Sequence, residues 1–477
     1  MTSSRSFNIV VPLIVACALF MENLDSTIIA TALPVIAKSL HEDPVRLNLA
    51  ITSYLLSLAV FIPLSGWVAD RYGARQVFRA AIAVFTLGSI CCGLADSLTG
   101  LIAARIVQGM GGAMMVPVGR LVLLRSIPKA ELVTAMSFLT MPALLGPVSG
   151  PPLGGLIVTY ASWRWIFFVN VPMGLLGIFL ATRFIGDIKE DKTPPLDLWG
   201  FICSGAGLAG LVYGFEMVGR GAVGPEIVAA LLIGGTTFMT LYGFHARRTA
   251  HPIIDLALFK IPTFAISILG GSLFRIGIGA VPFLLPLMLQ IGFGLSPLTS
   301  GLLTFASAAG ALTMKAAAGP IIRAIGFRRI LVTNAVIGGL FLVSYSLFDP
   351  TTPHFLIFGA LLAGGFFRAL QFTSVNTLTY ADVPAPLMSR ATSLASMMQQ
   401  LSLSIGVGTG AMLLHVILTT RGGTALMAQD FSPAFWIVGL ISIASVLLFV
   451  RLKPTAGIEL LGRPAAPAPQ PVVKAAE

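Results

Sequence analysis

Two acids, Glu22 and Asp25, stand inside the first long apolar stretch of the chain. Their three-residue spacing puts both carboxylates on one face of a helix. An ionised acid in hydrocarbon is costly, so such residues face a wet cavity or a charged partner. Burial disfavours the charged form of a carboxyl group, which gives an acid in this setting the means to hold a proton and then release it. The plainer alternative is a structural hydrogen bond that fixes this helix against a neighbour. Further along, Arg105 precedes Gln108 by three residues in another apolar stretch. A guanidinium does not shed its proton, so Arg105 has to sit beside an acid or water. Gln108, Arg275 and Arg368 are polar groups deep in apolar stretches and are candidates to line a cavity. Arg120 and Lys315 lie close enough to stretch ends to extend toward water, and no role is assigned to them.

The elements that position these groups follow from composition. The 477 residues are 56% hydrophobic and 10% charged, against about 25% charged in ordinary soluble domains. The chain is therefore an all-α integral membrane protein. At about 20 apolar residues per span, the polar breaks divide it into about fourteen transmembrane helices. The net charge of +11 comes from Lys and Arg dispersed among short loops, which argues against a nucleic-acid partner. With both termini placed in the cytoplasm, the inner loops hold roughly four times as many Lys and Arg as the outer ones. Cys17, Cys91, Cys92 and Cys203 all fall in apolar runs and form neither a disulfide framework nor a metal motif. The apolar run around Ile14 to Cys17 continues too far to be a cleaved leader.

The chain also repeats itself. The loop from Gly66 through Asp70, Arg71, Gly73 and Arg75 returns 253 residues later as Gly319 to Arg329, with Gly66, Gly73 and Arg75 falling on Gly319, Gly326 and Arg328. Both copies lie between the second and third apolar spans of their halves, which marks an internal duplication. The expected organisation is a six-helix bundle over 1–186, two extra spans with their loops over 187–262, and a second six-helix bundle over 263–453. A disordered cytoplasmic tail over 454–477 follows. The same offset places Arg275 on Glu22. Opposite charges at equivalent positions are expected either to meet across a central cavity or to find separate partners within each half. In the fifth span Gly146, Gly150 and Gly154 recur every fourth residue, while Pro147, Pro151 and Pro152 remove backbone donors. This smooth, bent helix suits a sliding contact between the halves, or tight packing alone.

Several of these segments together resemble the major facilitator superfamily of transporters, in particular its fourteen-span drug:proton antiporters. They are Leu24-Asp25-Ser26-Thr27-Ile28 with Ala32-Leu33-Pro34, the Gly66 to Arg79 loop, Arg105 to Gly109, Gly146 to Gly155, and Trp163 to Pro172. The resemblance implies the major facilitator fold arranged as 6+2+6 helices in two pseudo-symmetric bundles. It also implies export of small, lipophilic or cationic compounds in exchange for protons by alternating access. Asp25, Glu22 and Arg105 would then serve proton coupling. Gly66, Asp70, Arg71, Gly73 and Arg75 would form a conformational latch, and Gly146, Pro147, Gly150, Pro151 and Gly154 the antiporter helix. The second loop copy lacks an acid matching Asp70, so the latch should be asymmetric.

No Lys follows a Gly anywhere in the chain, which removes the phosphate-cradling loop of ATP-driven pumps. The Gly205 to Gly210 dinucleotide pattern lies inside an apolar span with no preceding strand. No enzymatic activity, cofactor or metal is expected, with the proton gradient as energy source. The expected setting is a bacterial inner membrane, with a monomer, protons and a small-molecule cargo. A specific metabolite exporter, an uncoupled facilitator and a membrane sensor remain as alternatives.

Overall fold

The computed structural model describes residues 9–42, 44–186, 193–218, 223–423 and 426–461. The expected tail over 454–477 lies largely outside them. No strand occurs among the described residues. The chain runs through α1 (Val10–Leu40), α2 (residues 44–72), α3 (Ala74–Leu94), α4 (Leu98–Ser126), α5 (Leu132–Tyr160) and α6 (Trp165–Phe184). Next come α7 (Leu198–Met217) and α8 (Pro225–Arg248). The remainder forms α9 (Pro262–Gly292), α10 (Pro297–Ile325), α11 (Phe327–Leu347), α12 (His354–Leu378), α13 (Met388–Thr420) and α14 (Ala428–Phe449). Twelve helices are long and apolar enough to cross a membrane among the described residues. Counted as one span, α10 would be a thirteenth, bent by 63° between Thr299–Met314 and Ala317–Ile325.

Local chemistry sets the helix ends. Ser97, Asp197 and Ser296 cap α4, α7 and α10, accepting hydrogen bonds from the amides of Gly100, Gly200 and Thr299. Pro225, Pro262 and Pro297 open α8, α9 and α10, where a missing amide hydrogen costs nothing. The turns from α2 to α3 and from α10 to α11 each rest on one glycine. Gly73 has φ 88° and ψ 134°, and Gly326 has φ 87° and ψ 153°. Residues with a Cβ avoid that conformation, so the duplicated loop keeps the same backbone in both copies.

Packing repeats as well. In the first half α1 lies on α5 and α6, α2 on α4, and α3 on α4 and α6. In the second α9 lies on α13 and α14, α10 on α12, and α11 on α12 and α14. Both ends of α3 and α11 differ by the 253 residues found in the sequence. The halves meet where α5 touches α10 and α12, and where α2 and α4 touch α13. The α7–α8 pair rests on α2 and α13 through α7, so it spans the seam between the halves.

Candidate functional site

Asp25 lies on α1 with its side chain fully buried, and it collects three donors from two other helices. Arg105 Nη1, on α4, reaches Asp25 Oδ2 at 2.6 Å. Gln108 Nε2 and Asn170 Nδ2, on α4 and α6, each donate to Asp25 Oδ1 at 2.8 Å. Both amides also donate to Ser89 Oγ on α3, at 2.6 and 3.2 Å. Arg105 further donates to Gln108 Oε1 at 2.6 Å and, through Nε, to the Ala50 carbonyl of α2 at 3.2 Å. Its guanidinium stands 4.2 Å from the centre of the Tyr54 ring. Arg105, which the sequence required to sit beside an acid or water, has Asp25 beside it. A buried pair of this kind is held by the further hydrogen bonds around it; Gln108 and Asn170 satisfy Asp25 Oδ1, while Arg105 Nη2 and Asn170 Oδ1 are buried without a partner. Sequence reasoning passed over Asn170, Ser89 and Tyr54. Asn170 sits within the Trp163 to Pro172 segment, so its signal was present. Ser89 and Tyr54 look like ordinary residues of apolar helices.

Glu22 lies one turn before Asp25 and is half-buried. It borders Tyr54 across Gly112, where a Cβ would stand 3.1 Å from the Tyr54 hydroxyl and 3.7 Å from Glu22 Cγ. The proposed meeting of Glu22 with Arg275 does not occur in this conformation. Arg275 Nη2 donates instead to Asn376 Oδ1 of α12 at 3.0 Å, so each charge keeps to its own half. Arg368 is half-buried and donates to Ser307 Oγ of α10 at 3.0 Å. Arg120 departs from expectation, because it does not extend to water. It is 4% exposed and reaches Tyr380 Oη at 3.2 Å, Ser396 Oγ at 3.4 Å and Gln399 Oε1 at 3.3 Å in the other half. Position along the helix set the expectation, whereas the neighbouring bundle covers that end of α4.

At the repeated loop, Asp70 Oδ1 accepts from Arg125 Nη2 of α4 at 3.2 Å, while Ser389 Oγ donates to Asp70 Oδ2. Ser389 is the second residue of α13, so the acid faces the positive end of a helix from the other half. Arg71 is exposed and Arg75 half-buried. Among the described residues neither pairs with Asp70, whereas Arg125 does. Gly66 is required by approach: a Cβ there would lie 2.8 Å from both the Ser389 carbonyl and Ser393 Oγ. Ser65 and Ser393 share a 2.7 Å hydrogen bond beside it. In the second copy the nearest atoms to a Cβ at Gly319 belong to the Arg323 side chain, at 3.2 Å and beyond. Segments flanking α7 and α8 brace this end. Trp67 Nε1 donates to the Pro194 carbonyl at 2.9 Å, and Arg390 pairs with Asp255 at 3.1 Å.

The glycine stripe of α5 does not lie between the halves. A Cβ on Gly146 would stand 2.6 Å from Asn23 Cβ, and one on Gly150 would meet Thr27 and the Ile28 backbone. The stripe therefore seats α1 against α5 inside one bundle, next to Asp25. Gly154 is buried in the same helix. The side chains of Pro147 and Pro151 lie outside the described residues.

A membrane-embedded helical protein with two matching bundles around a seam is a transporter architecture. The family profile described as Major Facilitator Superfamily matches residues 15–407 and 268–475. The chain belongs to the major facilitator superfamily of transporters. It is 43% identical over 403 residues to the "Putative multidrug resistance protein MdtD" of Salmonella paratyphi A, covering 84% of this chain and 85% of that one. The protein of the same name from Salmonella typhi is 42% identical with the same coverage. Among solved structures, the proton:xylose symporter XylE bound to 6-bromo-6-deoxy-D-glucose aligns with a TM-score of 0.65 and 16% identity. That alignment covers 95% of this chain and 98% of XylE. The human organic anion transporter MFSD10 aligns at 0.62 with 14% identity, covering 93% and 100%. At these identities the structures establish the fold alone.

Proposed function

We propose that this transporter exports small, lipophilic compounds in exchange for protons by alternating access, with the proton gradient and no cofactor supplying the energy. The observation that carries this reading is the sealed Asp25–Arg105 pair, whose members touch four helices of one bundle. Protonating Asp25 removes the charge that holds Arg105. The remaining contacts of Arg105 on α2 are Ala50 and Tyr54, and α2 also carries Ser65, Gly66 and Asp70 of the latch. One helix thus joins the acid to the contact between halves, a physical route for coupling. In this reading Glu22, one turn away and less buried, passes protons to Asp25. The relatives named as multidrug resistance proteins support a drug-like cargo.

Several further assignments support the same reading. We take α5 as a membrane span as well, which gives fourteen spans in a 6+2+6 order. The mirrored packing of α1–α6 and α9–α14 favours that division. The Lys and Arg bias puts the latch end and both termini in the cytoplasm of a bacterial inner membrane. A closed latch end then corresponds to the outward-facing state. The test uses purified protein in liposomes containing a pH dye. Under an imposed proton gradient, a panel of lipophilic compounds is added to wild type and Asp25→Asn. Compound-triggered proton movement in wild type and none in Asp25→Asn is expected. Compound flux with no proton movement in wild type would reject coupling and leave an uncoupled facilitator.

A further inference from the structure

We propose that Arg120 and Arg275 form a binding site for the anionic group of a small organic anion, so that the cargo carries a carboxylate or a chemically similar group. This rests on the transporter reading above and specifies its substrate class. Arg120 projects from α4 of the first half and Arg275 from α9 of the second. They are 4% and 3% exposed. Every partner they have among the described residues is neutral: Tyr380, Ser396 and Gln399 for Arg120, and Asn376 for Arg275. The Nε atom of each is buried with no hydrogen-bond partner. Asn376 and Tyr380, which accept from Arg275 and Arg120, stand four residues apart in the chain.

Like charges away from water repel each other, and buried guanidinium groups ordinarily sit against acids. Arg105 obeys that rule through Asp25; this pair does not. A planar carboxylate offers the matching acceptor, since it takes two parallel hydrogen bonds from a guanidinium. The Phe372 ring lies 5.5 Å from the Arg275 guanidinium and supplies an apolar wall beside it. Because the two arginines come from opposite halves, one anion would bridge the seam that opens and closes during transport. A cationic cargo, which the sequence resemblance allowed, would meet repulsion here.

The experiment follows thermal unfolding of the purified full-length protein in detergent with sodium benzoate, sodium succinate, inorganic phosphate or neutral benzamide. Sodium chloride at equal ionic strength is the reference. Benzoate or succinate is expected to raise the melting temperature by about 2 °C or more at saturation, with benzamide giving no rise. Arg275→Gln and Arg120→Gln are each expected to abolish the rise. Failure of all three anions in wild type, an equal rise with benzamide, or an unchanged rise in both variants would overturn the proposal. The wild-type comparison of benzoate with benzamide decides the matter even if a variant fails to fold. Asp25→Asn should keep the anion response while losing proton movement. An anion response without proton movement in wild type would therefore reject export by proton exchange but not this site. Proton movement driven by cations in a protein deaf to all three anions would reject this site but not the export reading.

Discussion

Gly66→Ala offers the sharpest test of the latch, because one methyl group enters a contact whose dimensions are known. The new Cβ would stand 2.8 Å from the Ser389 carbonyl and from Ser393 Oγ, whereas ordinary Cβ contacts begin near 3.4 Å. The serine side chain can rotate, but the carbonyl belongs to the backbone of α13. The helices must then separate by about 0.6 Å or accept the strain, and such overpacking costs about 1–3 kcal/mol. That cost falls on the state closed at this end and on no other, so the equilibrium shifts toward the open state by roughly 5- to 150-fold. Distances between spin labels report this directly. Tyr72→Cys and Ile325→Cys are repeat-equivalent, exposed positions at the same end of the two halves, with the four native cysteines changed to serine. Wild type is expected to show a dominant short distance and Gly66→Ala a dominant longer one. Adding Ser393→Ala should recover only part of the shift, since the carbonyl contact remains. Unchanged distance populations in Gly66→Ala would refute the reasoning that this contact defines the closed state.

Three other outcomes follow from the geometry. Asp70→Asn and Ser389→Ala should each favour opening of the same end, and their effects should combine with a coupling of roughly 0.5–3 kcal/mol, read from the same label distances; strict additivity would mean the two groups do not act on each other. Asn170→Ala leaves Asp25 Oδ1 with one donor fewer and should lower stability by about 1–3 kcal/mol. It should also slow compound-driven proton movement in liposomes, and wild-type rates would remove Asn170 from the site. Gly146→Ala should destabilise the protein by about 1–3 kcal/mol through collision with Asn23, while Gly155→Ala, with nothing within 4 Å of its Cβ position, should leave the melting temperature unchanged.

Much of this protein is legible in one dimension. The bilayer imposes a helix length and an apolar composition, so the spans from Val10 to Phe449 can be read from hydropathy. Because the halves arose by duplication, Gly73 and Gly326 announce a shared turn before any coordinates exist. Asp25 and Arg105 also stand out, since an ionised side chain in an apolar run demands an explanation. Sequence could not decide which charge meets which. Asp70 is next to Arg71 in the chain and close to Arg75, yet it pairs with Arg125. Glu22 was offered Arg275 but remains apart from it, and Arg120 was assigned to water yet lies buried against the opposite half. The glycines of α5 announced a close approach without saying to which helix, and the answer was α1. In each case the deciding quantity is the rotation and tilt of one helix against another. That is fixed by packing summed over many apolar contacts, none of which is distinctive in the sequence of a chain that is apolar almost throughout.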